Sequence, residues 1–382
     1  MSLNKVPVNR RAARINRLVE RCANRAVRTL DGVLGTLRLG GRKAAYDDLS
    51  YEFLGGAQDG LRARHYDKSL RLLWKAEEHA SWTSIKDLTT VERAMLDQAV
   101  RELTDEERAQ RDRISSAEFR AFLDRTYSRR EKEALVALLS AIGHGEAYAW
   151  LVSAELLGEL RSTGAKAAVT TQVLEEAKHF IVLRELVHAF DVPVPRLSAW
   201  EYFILEQVLK SRGLEKLFGM NILIEGIALG FLGLLGHLPG LEILRLFHLD
   251  ESRHTALPVN YFAEFTPSFW QRMSPFSRMK RLILLAPTVP FVFFMEEDAA
   301  ELGIDVFQLA GAIIQRVSDL AQRSGFPLAI PNALLIPMLN LVVNGYCYAT
   351  RTGHEFTDFT KSVPDSVLDP TYDPAAAGAM VG

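Results

Sequence analysis

Apolar residues recur along this chain with the 3.6-residue period of helices, and almost nowhere with the strict alternation of strands. Ile15, Leu18, Val19, Cys22, Val27 and Leu30 make one stripe among arginines, predicting a basic amphipathic helix over 11–30 broken by Gly35, Gly40 and Gly41. A stretch mixing aromatics with charge follows at 66–87, and further helices are predicted over 90–107 and 116–127. The pattern then lengthens. A helix over 131–160 breaks near Arg161-Ser162-Thr163-Gly164, and a second runs over 166–190 until Val192-Pro193-Val194-Pro195 stops it. A third covers 198–236 with an interruption near Gly213, and His237-Leu238-Pro239-Gly240 turns the chain into a fourth over 241–265. Proline-interrupted apolar helices follow Pro275, and 363–382 reads as a disordered tail.

Long helices joined by short breaks predict an all-α antiparallel bundle. The expected division is a basic helical segment 1–43, a helical domain 44–290 whose central bundle occupies about 131–265, C-terminal apolar helices 291–362 packed on that bundle, and the tail. No uninterrupted apolar run reaches the roughly 20 residues that span a bilayer, so buried core segments or a membrane-facing surface are expected.

Charge changes this picture at one end only. The formal net charge is -2, which gives no global attraction for nucleic acid, yet residues 1–43 hold eleven Lys or Arg against Glu20 and Asp31. That end is expected to be a solvated or subunit-contacting face, or else to dock an acidic carrier or anionic lipid. Cys22 and Cys347 are the only cysteines and form no CxxC pair, which excludes a disulfide framework, a zinc ribbon or a home-built iron–sulfur cluster. A reducing cytoplasm is the expected compartment, as no export signal is recognisable.

The chemistry lies in two short stretches. Glu175-Glu176-Ala177-Lys178-His179 and Asp250-Glu251-Ser252-Arg253-His254 each set a glutamate three residues before a histidine, on one face of a predicted helix. If each is the return arm of a hairpin, the outgoing arm should carry a carboxylate at equal height. Glu225 and Glu251 lie about thirteen residues either side of the Leu238-Pro239 turn, each ~19 Å up its helix. Glu225 is also the only acid between Phe218 and Gly240, and a buried acid needs a partner. Glu146 and Glu176 are likewise symmetric about Arg161, whereas Glu155 lies too near the break. The predicted metal ligands are therefore Glu146, Glu176, His179, Glu225, Glu251 and His254, with Glu176 and Glu251 as bridges because their helices also supply the histidines. Oxygen donors with a little nitrogen suit iron or manganese. His144, His188 and His237 read as structural, solvent or turn residues; His248, Asp250 and Arg253 are candidates for supporting contacts, His248 for a seventh ligand.

This constellation resembles the ferritin-like carboxylate-bridged di-iron proteins, in which two helices give a Glu each and two give Glu-x-x-His. Its wording is most similar to acyl-carrier-protein desaturases and di-iron arylamine N-oxygenases, over about 131–265. The resemblance implies a cofactor of two iron ions, with manganese or a mixed pair as substitutes, O2 as co-substrate and an oxygenase acting on an apolar or aromatic-amine substrate. It also implies alternatives: a desaturase or hydroxylase of carrier-bound or lipid acyl chains, or an iron-handling ferroxidase-type protein. With no GxGxxG fingerprint, electrons are expected from a separate reductase or ferredoxin. Nucleic acid is not an expected partner; a homodimer and peripheral membrane contact are left open. Departures narrow the choice. Leu183 stands where ribonucleotide reductases keep a radical tyrosine, Ala228 and Leu229 where desaturases carry threonine, and Phe247 where the N-oxygenases add a third histidine.

Overall fold

A computed structural model describes residues 5–36, 114, 116–160, 163–261, 274–326 and 328–361. The segments expected at 66–87 and 90–107, and the tail 363–382, lie outside these residues. Helices make up 78% of the described residues and none is in a strand, as the period of the apolar positions requires.

Helix α1 (Arg10–Thr36) is described to one residue beyond Gly35, and Gly40 and Gly41 lie outside the described residues. α2 (Ala117–Thr126) leads into α3 (Arg129–Leu157), whose start is fixed by a capping box: Ser128 Oγ accepts from Glu131 N at 3.3 Å and Glu131 Oε2 from Ser128 N at 2.7 Å. α4 (Thr163–Ala189) returns along α3 as its long antiparallel partner. It ends where Asp191 takes a positive φ of 52°, two residues before Pro193.

α5 (Ala199–Lys210) starts on a second capping box, Ser198 with Glu201. The interruption expected near Gly213 is there: Gly213 has φ 57°, and α6 (Leu214–Leu217) opens after it. α6 then widens into a π-helical turn, Phe218–Ile224, before α7 (Glu225–Leu235). Gly240, at φ +85°, makes the next turn, where a Cβ would lie 3.0 Å from Leu123.

α8 (Leu244–His254) packs back on α7, and α9 (Leu257–Tyr261) follows after a kink. The single helix expected over 241–265 is thus divided, and Pro258 supplies the reason. Proline has no N–H for the carbonyl of His254; that oxygen accepts instead from Asn221 Nδ2 at 3.2 Å. The C-terminal part comprises α10 (Pro275–Leu285), α11 (Thr288–Glu301), α12 (Val306–Arg323) and α13 (Asn332–Thr350). α11 packs on α3 and on α1, and α12 on α7.

The glycines of α7 and the turn before it serve close packing, not an open channel. A Cβ would fall 2.7 Å from Val208 at Gly219, 2.9 Å from Val317 at Gly226 and 2.6 Å from Ile313 at Gly230. Three helical stretches, α3, α6–α7 and α13, are long and apolar enough by length and composition to cross a membrane. The most apolar 18 residues of the first two are 72% and 89% buried within the protein, those of α13 only 17%.

Candidate metal centre

α3 brings Glu146, α4 brings Glu176 and His179, α7 brings Glu225, and α8 brings Glu251 and His254 to one buried point. Their donor atoms form two groups, each lying within 4.8 Å: Glu146, Glu176, His179 and Glu251; and Glu176, Glu225, Glu251 and His254. Glu176 and Glu251 belong to both. All six are at most 2% exposed, a degree of burial that isolated carboxylates do not tolerate.

Both imidazoles turn Nδ1 inward. His179 Nδ1 is 3.2 Å from Glu146, 3.0 Å from Glu251 and 3.7 Å from Glu176. His254 Nδ1 is 2.9 Å from Glu251, 3.1 Å from Glu176 and 3.5 Å from Glu225. The outer nitrogens meet carboxylates: His179 Nε2 lies 3.0 Å from Asp250, and His254 Nε2 lies 2.9 Å from Glu175. Arg253 ties the outer carboxylates together, donating from Nη2 to Glu175 at 2.9 Å and also to Asp250. Such carboxylate–imidazole pairs fix which ring nitrogen faces a metal.

A buried amide network reaches Glu225 and the shared Glu176, but not Glu146. Gln172 Nε2 donates to Glu225 at 2.7 Å and to Glu176 at 3.1 Å, and its Oε1 accepts from Asn221 Nδ2 at 2.9 Å. Asn221 belongs to the π-helical turn just before Glu225, a local geometry that concentrates at functional sites.

The protonation pattern follows from crowding. Burial, then the charge of Glu251, hold the Glu146 carboxyl well above the usual carboxylate range. Burial, then Glu176 and Glu251, do the same to Glu225. For Glu176, burial is outweighed by the charge of His254 and by hydrogen bonds to both imidazoles, so its value is held well down. Glu251 is lowered too: burial and Glu176 oppose its charge, and His254 with its hydrogen bonds prevails. Burial alone would discharge His179 and His254, yet Glu146 and Asp250 raise the first, and Glu251 and Glu176 the second, well above the ordinary imidazole value. Asp250 is lowered because its bond to His179 overcomes burial. Without metal, then, crowding pushes the Glu146 and Glu225 carboxyls and both imidazoles toward holding their protons, and Glu176 and Glu251 toward losing theirs.

Several expectations are corrected or completed here. His248 is buried but belongs to neither donor group. Six residues before His254 at 100° each, it projects about 120° away from that ring around the helix. Phe247 faces the site instead, its ring stacked 4.2 Å from that of His179. Glu155 turns outward to Lys216. His144 is buried 3.5 Å from Glu201, while His188 and His237 are exposed. Glu175, Gln172 and Asn221 had no signal at sequence level beyond an acid adjoining Glu176, because their partners come from other helices.

An apolar cavity of about 590 Å³, open mouth included, borders the cluster. Glu146 and Glu225 line it; Glu176, Glu251 and both histidines do not. Apart from these two carboxylates and Glu201 its wall is hydrocarbon and glycine backbone, including Ile142, Leu205, Ala228, Phe231 and Phe291. Comparison with protein-family models, with curated proteins and with solved structures finds no match for this chain.

Proposed function

We propose that this protein is an O2-activating oxidoreductase with a carboxylate-bridged di-iron centre on a ferritin-like bundle. The observation that carries the reading is the pair of four-residue donor groups sharing Glu176 and Glu251. Two sites joined by two carboxylates are what bridged dinuclear ions need, and all-oxygen-and-imidazole donors suit iron, or manganese in its place. The residues fit such ions on a further count. Glu146 Oε1 and Glu176 Oε2 are buried and accept no hydrogen bond, an arrangement that costs free energy unless a cation fills it.

Two iron ions held there supply reduction of O2 coupled to oxidation of a neighbouring organic bond, with electrons from an external reductase or ferredoxin. The chain's own part is positional. Asp250 and Glu175 keep each Nδ1 lone pair directed inward, and Arg253 locks both carboxylates to one guanidinium. The apolar cavity would admit substrate on the side of Glu146 and Glu225, and neither imidazole lines it. An apolar or aromatic-amine substrate fits this space in the manner of the N-oxygenases, with Glu201 as the polar group available to an amine.

A second reading, oxidation of an acyl chain, is favoured by one observation. The first cavity shares Ile227, Phe231, Phe291 and Met295 with a larger one of about 880 Å³, mouth included, lined by α10, α11, α12 and α13. Two apolar cavities side by side would suit an extended chain. The test is metal analysis of protein refilled with Fe(II), followed by O2 uptake with arylamines and with acyl substrates. Two irons per chain and substrate-dependent uptake are expected; iron uptake with O2 consumption indifferent to any organic addition would make it an iron-handling protein instead.

A further inference from the structure

We propose that α10 and α13 form a docking surface for an anionic phospholipid bilayer, on which the protein rests without crossing it. α13 is 19 residues long without a charged side chain, and its most apolar stretch is mostly not buried by the fold. Leu334, Met338, Leu341 and Val342 recur at helical spacing on its exposed side, with Leu341 68% exposed. α10 repeats the arrangement with Phe276, Met279 and Ile283, Phe276 being 85% exposed. Apolar stripes this continuous are uncommon on surfaces that face only water.

Charge selects the occupant. Neither helix holds an Asp or Glu, and α10 carries Arg278 and Lys280 beside its apolar stripe. α1 adjoins α13 where Asn16 Nδ2 donates to the Tyr346 hydroxyl at 3.3 Å, and its exposed residues include Arg14, Arg21, Arg25 and Arg28. Apolar side chains on two helices without an acid, flanked by cations, match hydrocarbon beneath anionic headgroups. A second copy of this chain would bring the same cations against themselves.

The opposite face of α13 excludes a spanning orientation. Asn340 donates to Asp358 at 2.9 Å, and Asn344 both donates to Thr357 O and accepts from Thr357 N at 2.9 Å. This return segment is fastened to the polar side of α13 along its second half. Insertion across a bilayer would carry Asp358 and these backbone bonds into hydrocarbon; lying in the interface leaves them on the protein side.

The surface also leads somewhere. Leu282 and Leu285 of α10 and Leu335 and Leu339 of α13 wall the larger cavity, which shares Ile227, Phe231, Phe291 and Met295 with the one beside Glu146 and Glu225. Passage of a lipid-soluble substrate along this path rests on the di-iron reading, whereas the docking itself does not.

The experiment is co-sedimentation of the full chain with vesicles of phosphatidylcholine alone and with about one fifth phosphatidylserine, metal content being measured on the same samples. Wild-type protein should pellet with the anionic vesicles and much less with neutral ones. Leu341→Asp and Phe276→Asp should each lower partitioning about tenfold or more, with helix content by circular dichroism and metal content unchanged. Leu341→Gln, a milder exposed change, should act in the same direction. The proposal is overturned if wild-type protein stays in the supernatant, if the variants partition like wild type, or if they only convert a dimer to a monomer. Vesicle binding by protein that takes up no metal would sink the di-iron reading alone; two metal ions per chain without vesicle binding would sink the docking alone.

Discussion

The two helical hairpins that build the centre offer nearly equal donors on unequal supports. α3 and α4 are uninterrupted helices of 29 and 27 residues, and Glu146 takes its one hydrogen bond from His179. α7 and α8 have 11 residues each, with a π-helical turn before Glu225 and a proline-induced end after His254. Gln172 and Asn221 fill what that irregularity opens, holding Glu225 and the freed carbonyl of His254. Regular helices thus position Glu146 with a single hydrogen bond, whereas Glu225 and the His254 carbonyl on the irregular pair are held by an amide network that also reaches Glu176. The two halves should therefore hold their ions with different strength and respond differently to substitution.

The largest expected effect breaks the comparison altogether. Glu176 belongs to both donor groups, so Glu176→Gln should take metal content from two ions per chain to none or nearly none. Glu146→Gln removes a donor from one group only and should leave one ion bound. Elemental analysis after refilling with Fe(II) or Mn(II) distinguishes them; equal losses from the two variants would mean that Glu176 is no bridge.

Next comes the amide network, which should tell the halves apart. Asn221→Leu leaves the His254 carbonyl and Gln172 Oε1 without their buried donor, at a cost of about 1–3 kcal/mol in stability. It should also weaken one ion by about 10–100-fold, the range typical for groups supporting metal ligands. Stepwise metal titration should show one affinity falling and the other holding. Arg253 is the opposite case, since it grips the carboxylate behind each histidine. Arg253→Met should weaken both ions alike, by about tenfold, and a selective loss would show that the clamp serves one half only.

What the sequence discloses follows the same division. Spacing alone pointed to the six side chains that the structure brings together, because hairpin symmetry converts equal distance from a turn into equal height, and apolar neighbours marked Glu225 as buried. The helix boundaries of α3 and α4 were legible for a similar reason: a capping serine, a proline pair and an unbroken period stand at or beside their ends. The irregular half was not legible. A π-helical turn leaves no apolar period of its own, and although Pro258 ends α8 locally, the Asn221 Nδ2 that donates to the freed His254 carbonyl comes from another helix. The partnership of Glu175 with His254, and of Asp250 with His179, crosses between helices, so no spacing within one segment could assign it. His248 lies outside both donor groups, and the one-residue offset that turns a helical side chain by about 100° leaves Phe247 stacked on His179.

Protons give the finest test of the comparison. His179, His254, Glu146 and Glu225 all have raised values in the folded, metal-free protein. A raised group stabilises the fold fully below its unfolded value and loses that contribution as pH climbs toward its folded value. The loss therefore begins near pH 4.5 for the two carboxyls and near pH 6.5 for the imidazoles, at most about 1.4 kcal/mol per pH unit for each proton. Glu176 and Glu251 are lowered, so their contribution persists above about pH 4.5 and disappears only in acid. Metal reverses the balance, since ligands bind it deprotonated and give up their protons to solvent. Between about pH 5 and 8 the melting temperature of metal-free protein should fall while that of refilled protein holds or rises. Glu146→Gln cannot lose a proton, so it should flatten the metal-free curve from its acid end. A wild-type curve independent of pH in this window would show that the cluster does not store protons in place of a metal, and that its buried charge is neutralised in some other way.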